Sequence, residues 1–383
     1  AAPFRLRSNP DHELPAGTVR IKYARLGDPS LPAVLICPSM SNSVHVVDGE
    51  ETRADGQAVQ HRGWWRRVVG HGEDFGIDLD RFHVIVGAPM GSPFGSTSPL
   101  TPSGPGENDP PFRSSFPQIT PLDQAAHQKL LLDELGVSKL HAVVGGSMGG
   151  MQSIQFAANF PEMYDLFFAV AATAHTSPST VALRSVQRQA VRMDPDFANG
   201  EYETNPTKGM GIARMFGTIC YRSPTEFDGR FDWHPTALES GETSFEVERY
   251  LKHQAHKFTT GVNYDANCYL LLSQSMDLMN VGQGASSFTQ GVARIPSDKQ
   301  GMLLSYSTDR LTPPQDLQRL ATALGRNNVP VHQEVLDSPY GHDAFLIEAQ
   351  AQPLNVRLKA FLEAPLGANV TAVQSLVKDM FEH

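Results

Sequence analysis

The string Val143-Val144-Gly145-Gly146-Ser147-Met148-Gly149-Gly150-Met151 sets a serine at the joint between an apolar, strand-like run (Ala142 to Val144) and a helical pattern that begins at Met148. A Gly-x-Ser-x-Gly turn of this kind forces the serine into strained backbone angles, and its glycines let strand and helix approach closely. Oγ is thereby lifted clear of its neighbours. The helix behind it brings its dipole and the free N–H of Met148 to where an acyl oxygen would gather negative charge. The chemistry this predicts is a serine acyl-enzyme. An incidental serine in a glycine-rich turn is the competing reading. The preceding strand, the helical run Met-Gln-Ser-Ile-Gln-Phe-Ala-Ala and the mid-chain position all speak against it.

A chain of 383 residues can bury a large core, either as one large α/β domain or as two domains of ordinary size. The 31 basic and 41 acidic residues give a net charge of -10, and the basic ones are dispersed. No electrostatic footprint for nucleic acid or an anionic membrane results, so small-molecule chemistry is expected. No apolar run approaches the roughly 18 residues needed to span a bilayer, which predicts a soluble protein. Cys37, Cys220 and Cys268 are scattered, odd in number and without Cys-x-x-Cys spacing. They indicate neither a disulfide framework nor a zinc site, and they fit a reducing, cytoplasmic compartment. The chain opens Ala-Ala-Pro-Phe without a methionine, which leaves open a processed form and an organellar address.

Strand signals run over Val19 to Leu26, Ala33 to Pro38 and Arg81 to Gly87, the second a continuous apolar run of the kind buried in a parallel sheet. Residues 88–111 are dominated by Pro and Gly and read as a long loop serving a site. Thr120 or Asp123 can cap a helix that stops at Gly136, before the strand into Ser147. After a strand from Tyr164 to Thr173 the alternation lapses, and it resumes at a strand from Gly301 to Ser307, a helix from Pro313 to Leu324, a strand from Val331 to Leu336 and a helix from about Pro353 to Leu362. The expected architecture is an α/β-hydrolase fold: a mostly parallel central sheet flanked by helices, built from residues 1–173 and 292–383, with residues 174–291 inserted as a helical lid.

In such a fold the partners of the serine follow in the order Ser, then Asp or Glu, then His, each on a loop after a late strand. Asp309 follows Gly301-Met-Leu-Leu-Ser-Tyr-Ser, and His342 follows the strand ending at Leu336. His342 would take the proton of Ser147, and Asp309 would hold its tautomer and stabilise the imidazolium. Asp298 and Asp337 are rivals, one preceding its strand and one close to His342 in sequence. A second oxyanion donor is expected from the loop after Ala33-Val-Leu-Ile-Cys-Pro, at Met40 or Ser41, beside the N–H of Met148. His253 and His256 share a helix face, but no third ligand follows at zinc spacing, so no metal is expected.

At these residues the chain resembles the homoserine O-acetyltransferase family, whose fungal relatives include serine O-acetyltransferases and deacetylcephalosporin C acetyltransferase. The resemblance covers Gly63-Trp-Trp, Asp78-x-Asp-Arg-Phe, Gly91-Ser-Pro-Phe-Gly-Ser-Thr-Ser-Pro, the segment around Ser147, Gln187-Arg-Gln-Ala, Gly211-Ile-Ala-Arg-Met and Asp337-Ser-Pro-Tyr-Gly-His-Asp-Ala-Phe-Leu. It implies Ser147 as nucleophile, His342 as base, Asp309 as its orienter, and Met40 with Met148 as oxyanion donors. It further implies that Arg214 and Tyr221 face the carboxylate of an amino-acid acceptor and that Asp343 takes its ammonium. The family's His-Ala-Leu-Thr-Gly-Asp is replaced here by a loop in which Asn42-Ser43 stands for Gly-Asp, leaving serine or a secondary-metabolite alcohol open beside homoserine as acceptor.

The expectation is therefore ping-pong transfer of an acetyl group from acetyl-CoA, a cosubstrate and not a bound cofactor, to the hydroxyl of homoserine or serine. A carboxylesterase on the same scaffold is the alternative, and a non-catalytic binding module is disfavoured by the filled triad positions. No phosphate-binding glycine loop marks a CoA site. Met210, Met215, Phe216, Met276 and Met279 in the lid, together with the family resemblance, suggest a homodimer closed through that segment.

Overall fold

The computed structural model describes residues 3–52, 56–106, 108–237 and 243–364. Its centre is a seven-stranded sheet: β1 (Tyr23–Leu26), β2 (Ala33–Cys37), β3 (His83–Gly87), β4 (Leu140–Gly146), β5 (Tyr164–Val170), β6 (Gln300–Tyr306) and β7 (Val331–Leu336), in the spatial order β7-β6-β5-β4-β2-β3-β1. Every neighbouring pair is parallel except β1 with β3. The mostly parallel sheet expected from the continuous apolar runs is present.

Those runs are apolar on both sides because both sides are covered. With a two-residue period, Leu35, Val143, Phe167 and Leu303 point to one face. There they meet Leu131 and Leu132 of α1 (Pro121–Glu134), Met151 and Ile154 of α2 (Met148–Asn159), and Leu317 and Leu320 of α9 (Pro314–Arg326). Val34, Ile36, Val144, Phe168 and Leu304 point to the other face, onto Trp65 and onto Leu354, Leu358 and Phe361 of α10 (Ala351–Glu363). Helix α1 starts as its sequence demands: Thr120 and Asp123 form a reciprocal capping box, with Pro121 in the first turn.

Two strand boundaries differ from the sequence expectation by three residues or more. Residues 19–22 are extended but do not join the sheet, because the 88–111 loop takes their hydrogen bonds: Thr97 N–H donates to Arg20 O at 2.9 Å and Ala88 N–H to Lys22 O at 2.8 Å. The strand from Tyr164 stops at Val170, since Ala171 turns to φ 49°.

Between β5 and β6 lie α3 (Pro178–Arg192), α4 (Thr207–Tyr221), α5 (Pro224–Arg230), α6 (Glu246–His256), α7 (Ala266–Asp277) and α8 (Phe288–Val292). Val191, Met210, Ala213, Phe258, Tyr264 and Tyr269 form a third apolar cluster, against which Met40 and Phe94 pack. Helix α7 faces two ways, its Leu271, Leu272 and Met276 joining the main core. This segment is thereby held over the C-terminal ends of β2 and β4. Among the described residues no helix is long and apolar enough to cross a membrane, and the three cysteines are free and buried.

Candidate active site

Ser147 is the residue between β4 and α2. Its backbone sits at φ 55°, ψ -122°, a region residues with a side chain rarely occupy and keep only when the surroundings over-determine it. One such restraint is its own N–H, which donates to Val170 O at 2.9 Å and ties the turn to β5. Another is close packing without side chains. A Cβ on Gly145 would lie 2.2 Å from the carbonyl carbon of Gly149, and a Cβ on Gly149 only 1.9 Å from Cys37 O. Helix α2 therefore starts directly against the end of β2.

His342 lies on the short 3-10 turn Gly341–Leu346 after β7. Gly341 before it has φ +64°, and a Cβ there would be 2.8 Å from Tyr221 O, so the histidine turn and the end of α4 meet backbone to backbone. Ser147 Oγ is 2.8 Å from His342 Nε2, and His342 Nδ1 is 2.8 Å from Asp309 Oδ2. The carboxylate, lying in the turn after β6, is itself fully engaged. Its Oδ1 accepts from Leu311 N–H at 2.8 Å and Thr312 N–H at 2.9 Å, and its Oδ2 accepts from Thr312 Oγ1 at 2.7 Å. Burial alone would raise the Asp309 pKa, but the charge and hydrogen bond of His342 and the donors of Thr312 outweigh it and hold the carboxyl below its usual range. An ionised acceptor at Nδ1 requires the proton there, which leaves Nε2 to accept from Ser147.

The rivals for this position are engaged elsewhere. Asp298 is exposed beside Lys299 at 3.1 Å, and Asp337 is exposed and accepts from Ser307 Oγ at 2.7 Å. His253 and His256 are exposed on α6, and among the described residues no group of three or more His, Cys, Asp or Glu could hold a metal ion.

Ser147 and His342 open into a cavity of about 90 Å³, room for roughly half a dozen waters. Met40, Ser39 and Ser41 from the loop after β2 form one rim. Tyr264 Oη donates to Met40 O at 2.8 Å, and Asn42 at the departure from the family pattern is buried, its side-chain oxygen accepting from Ser39 Oγ. Met148 opens α2, so its N–H precedes intrahelical pairing. Met40 thus lines the same cavity as Ser147, and Met148 follows the serine directly as the first residue of α2.

Arg214, Tyr221 and Asp343 all line this cavity. The Arg214 guanidinium carbon lies 5.8 Å from the Tyr221 ring and 5.1 Å from the Phe258 ring, and its buried Nε has no hydrogen-bond partner among the described residues. Tyr221 stacks obliquely near His342, with ring centroids 6.2 Å apart, and burial raises its hydroxyl pKa although Arg214 opposes the shift. Asp343, expected to take the acceptor's ammonium, already has a cationic neighbour: Arg222 Nε lies 3.2 Å from its Oδ2, and Arg222 also pairs with Glu226 at 2.9 Å.

Sequence reasoning assigned no role to four residues of the site. Thr312, three after Asp309, is a common side-chain-to-backbone turn position and was within reach of pattern reading. Arg184 and Gln187 on α3 line the cavity, and Arg222 partners Asp343; only the docking of the helices reveals these.

Residues 32–349 match the family described as alpha/beta hydrolase fold. The homoserine O-acetyltransferase of Methanosphaerula palustris is 35% identical over 363 residues, covering 92% of this chain and 70% of that protein. A serine O-succinyltransferase of Litchfieldella anticariensis is 36% identical over 351 residues, covering 88% of this chain and 91% of that protein. Among solved structures, homoserine O-acetyltransferase from Bacillus anthracis is similar at TM-score 0.82, covering 96% of this chain and 97% of that one at 21% identity, a likeness of fold alone.

Proposed function

The chain belongs to the homoserine O-acetyltransferase family of the α/β-hydrolase fold, and from that premise we propose that it is a CoA-dependent O-acyltransferase acting on the hydroxyl of homoserine or serine. The observation that carries this reading is the continuous Ser147–His342–Asp309 relay at the floor of a cavity whose wall holds Arg214 without a partner at Nε.

Ser147 Oγ attacks the thioester carbonyl of a short acyl donor, acetyl-CoA in the simplest case, as His342 Nε2 removes its proton. The N–H groups of Met40 and Met148 receive the oxyanion. Breaking the C–S bond releases CoA, which takes the proton from His342. The acceptor hydroxyl then gives its proton to His342, attacks the ester and displaces Ser147 Oγ, which takes that proton back from His342 Nε2. Arg214 and Tyr221 would grip the acceptor carboxylate, and Asp343 its ammonium, so that the hydroxyl arrives oriented. The helical segment 174–291 acts as a lid that keeps water from the ester, and the cavity's small volume keeps the bulk of CoA outside.

Mass spectrometry of the intact protein after acetyl-CoA tests this, followed by a challenge with homoserine, serine and buffer alone. The expected result is acetylation at Ser147, discharged at least tenfold faster by one amino acid than by buffer. Equal discharge into buffer would make the protein an esterase.

We also propose a homodimer, carried not by Met210, Met276 and Met279, which are buried in the chain's own core, but by the outer face of the lid. Val186 and Met193 near α3 and Ile212 and Ile219 on α4 are 52%, 80%, 59% and 39% exposed, and α3 packs against α4, so these large apolar side chains stand on neighbouring helices. Light scattering should give twice the chain mass, and Met193→Glu with Ile212→Glu should halve it; a monomeric parent would refute the dimer.

A further inference from the structure

Two arginines of α3 converge on one carboxylate at the end of α7. Arg184 Nη1 lies 3.1 Å from Asp277 Oδ1 and Arg188 Nη1 lies 2.6 Å from Asp277 Oδ2, and all three side chains are at most 10% exposed. Arg188 also donates to Ser273 Oγ at 3.0 Å. Two guanidinium groups against one carboxylate leave a buried positive charge without a counterion among the described residues, an expensive arrangement unless something else compensates it. Burial pulls the Arg184 pKa below its ordinary value even though Asp277 opposes the shift, in keeping with that deficit.

Arg184 is part of the wall of the active-site cavity, and so is Gln187 one helical turn further on. Gln187 is 2% exposed. Its Oε1 accepts from Tyr269 Oη at 2.6 Å, which commits the amide's orientation, and its Nε2 is buried with no partner among the described residues. The wall between α3 and α7 therefore presents a charge in excess and an unused N–H donor. Both call for an anionic oxygen.

An amino-acid acceptor does not supply it. It carries one carboxylate and one ammonium, and in the reading above these meet Arg214 on α4 and Asp343 after β7. The other component that enters the cavity is the acyl group. We propose that Arg184 and Gln187 form a subsite for a carboxylate at the far end of the acyl chain, so that the preferred donor is the CoA thioester of a dicarboxylic acid. This inference rests on the acyltransferase reading. With succinyl-CoA, Ser147 Oγ forms the ester to the thioester carbon, the C–S bond breaks, and CoA leaves as the thiol with the proton carried by His342. The distal carboxylate stays ionised against Arg184.

The test compares acylation of Ser147 by acetyl-CoA, succinyl-CoA and glutaryl-CoA, read as kcat/KM and by intact mass. A charge-assisted contact of this kind predicts a preference for succinyl-CoA over acetyl-CoA of about 10- to 100-fold. Arg184→Leu leaves Asp277 in a one-to-one pair with Arg188, so the buried cluster becomes neutral, and the succinyl-to-acetyl ratio should fall toward one. Gln187→Glu keeps an acceptor for Tyr269 and sets a negative charge against the distal carboxylate; it should lower the same ratio without touching the ion cluster. Acetyl-CoA acylating the parent as fast as succinyl-CoA would overturn the subsite and leave the acyltransferase standing. So would a ratio that survives Gln187→Glu in a protein melting like the parent. If no donor acylates Ser147, both the subsite and the function it rests on fall.

Discussion

Ser147→Ala is expected to abolish acyl-enzyme formation and to lower kcat for transfer by about 10⁶-fold, the loss typical of removing the nucleophile from a serine relay. Oγ is the atom that becomes the ester, and no other hydroxyl is placed 2.8 Å from His342 Nε2 among the described residues. What should survive is donor binding and the residual rate from oriented backbone donors, on the order of 10³ over water. The fold should survive too. Alanine at φ 55° keeps the same backbone strain as serine, and the N–H bond to Val170 is independent of the side chain. Thermal melting and single-turnover acylation with acetyl-CoA check the two halves separately. Retained transfer with no acyl adduct would mean direct attack of the acceptor on the thioester, and the relay would then serve only as a base.

Asp309→Asn is expected to cost about 10⁴-fold in kcat while leaving the fold intact. The direction follows from which oxygen is replaced. Leu311 and Thr312 both donate backbone N–H groups to Oδ1, so that position must remain an acceptor, and the new amide nitrogen falls at Oδ2. There it donates to His342 Nδ1 in place of accepting from it. The imidazole is pushed into the tautomer with its proton on Nε2, which cannot take the proton of Ser147. Histidine-selective nitrogen NMR would report the tautomer, and a loss below tenfold would show that the carboxylate does not govern it.

The same variant changes acid stability in a defined sense. The Asp309 carboxyl is held below its usual value in the folded protein. Its contribution to stability is therefore fully present above the unfolded-chain pKa, about 3.9, and is lost as pH falls through the lower folded value. Asparagine has no such dependence, so parent and variant should converge in stability at strongly acid pH and differ most above pH 4.

The sheet was legible because its signals are local. Apolar runs such as Ala33–Cys37 and Tyr164–Val170 carry the burial on both faces, and the capping of α1 is written in four consecutive residues. Residues 19–22 misled because an extended backbone has the same pattern whether its hydrogen bonds go to a strand or to a loop. Here the Pro- and Gly-rich loop reached them first. Asp343 was legible as a pocket residue but not as half of an ion pair, since Arg222 lies more than a hundred residues away in sequence.

The sequence by itself determined the strained serine joint, the order in which aspartate and histidine return to it, and the alternation that builds the sheet. Those depend on backbone angles and periodicities spanning a few residues. Only the tertiary structure decided which charges are matched. Arg184 and Asp277 stand 93 positions apart, and Gln187 gains an unpaired nitrogen only because Tyr269 claims its oxygen. Electrostatic balance inside a cavity is a property of which helices dock, and docking is set by the whole core.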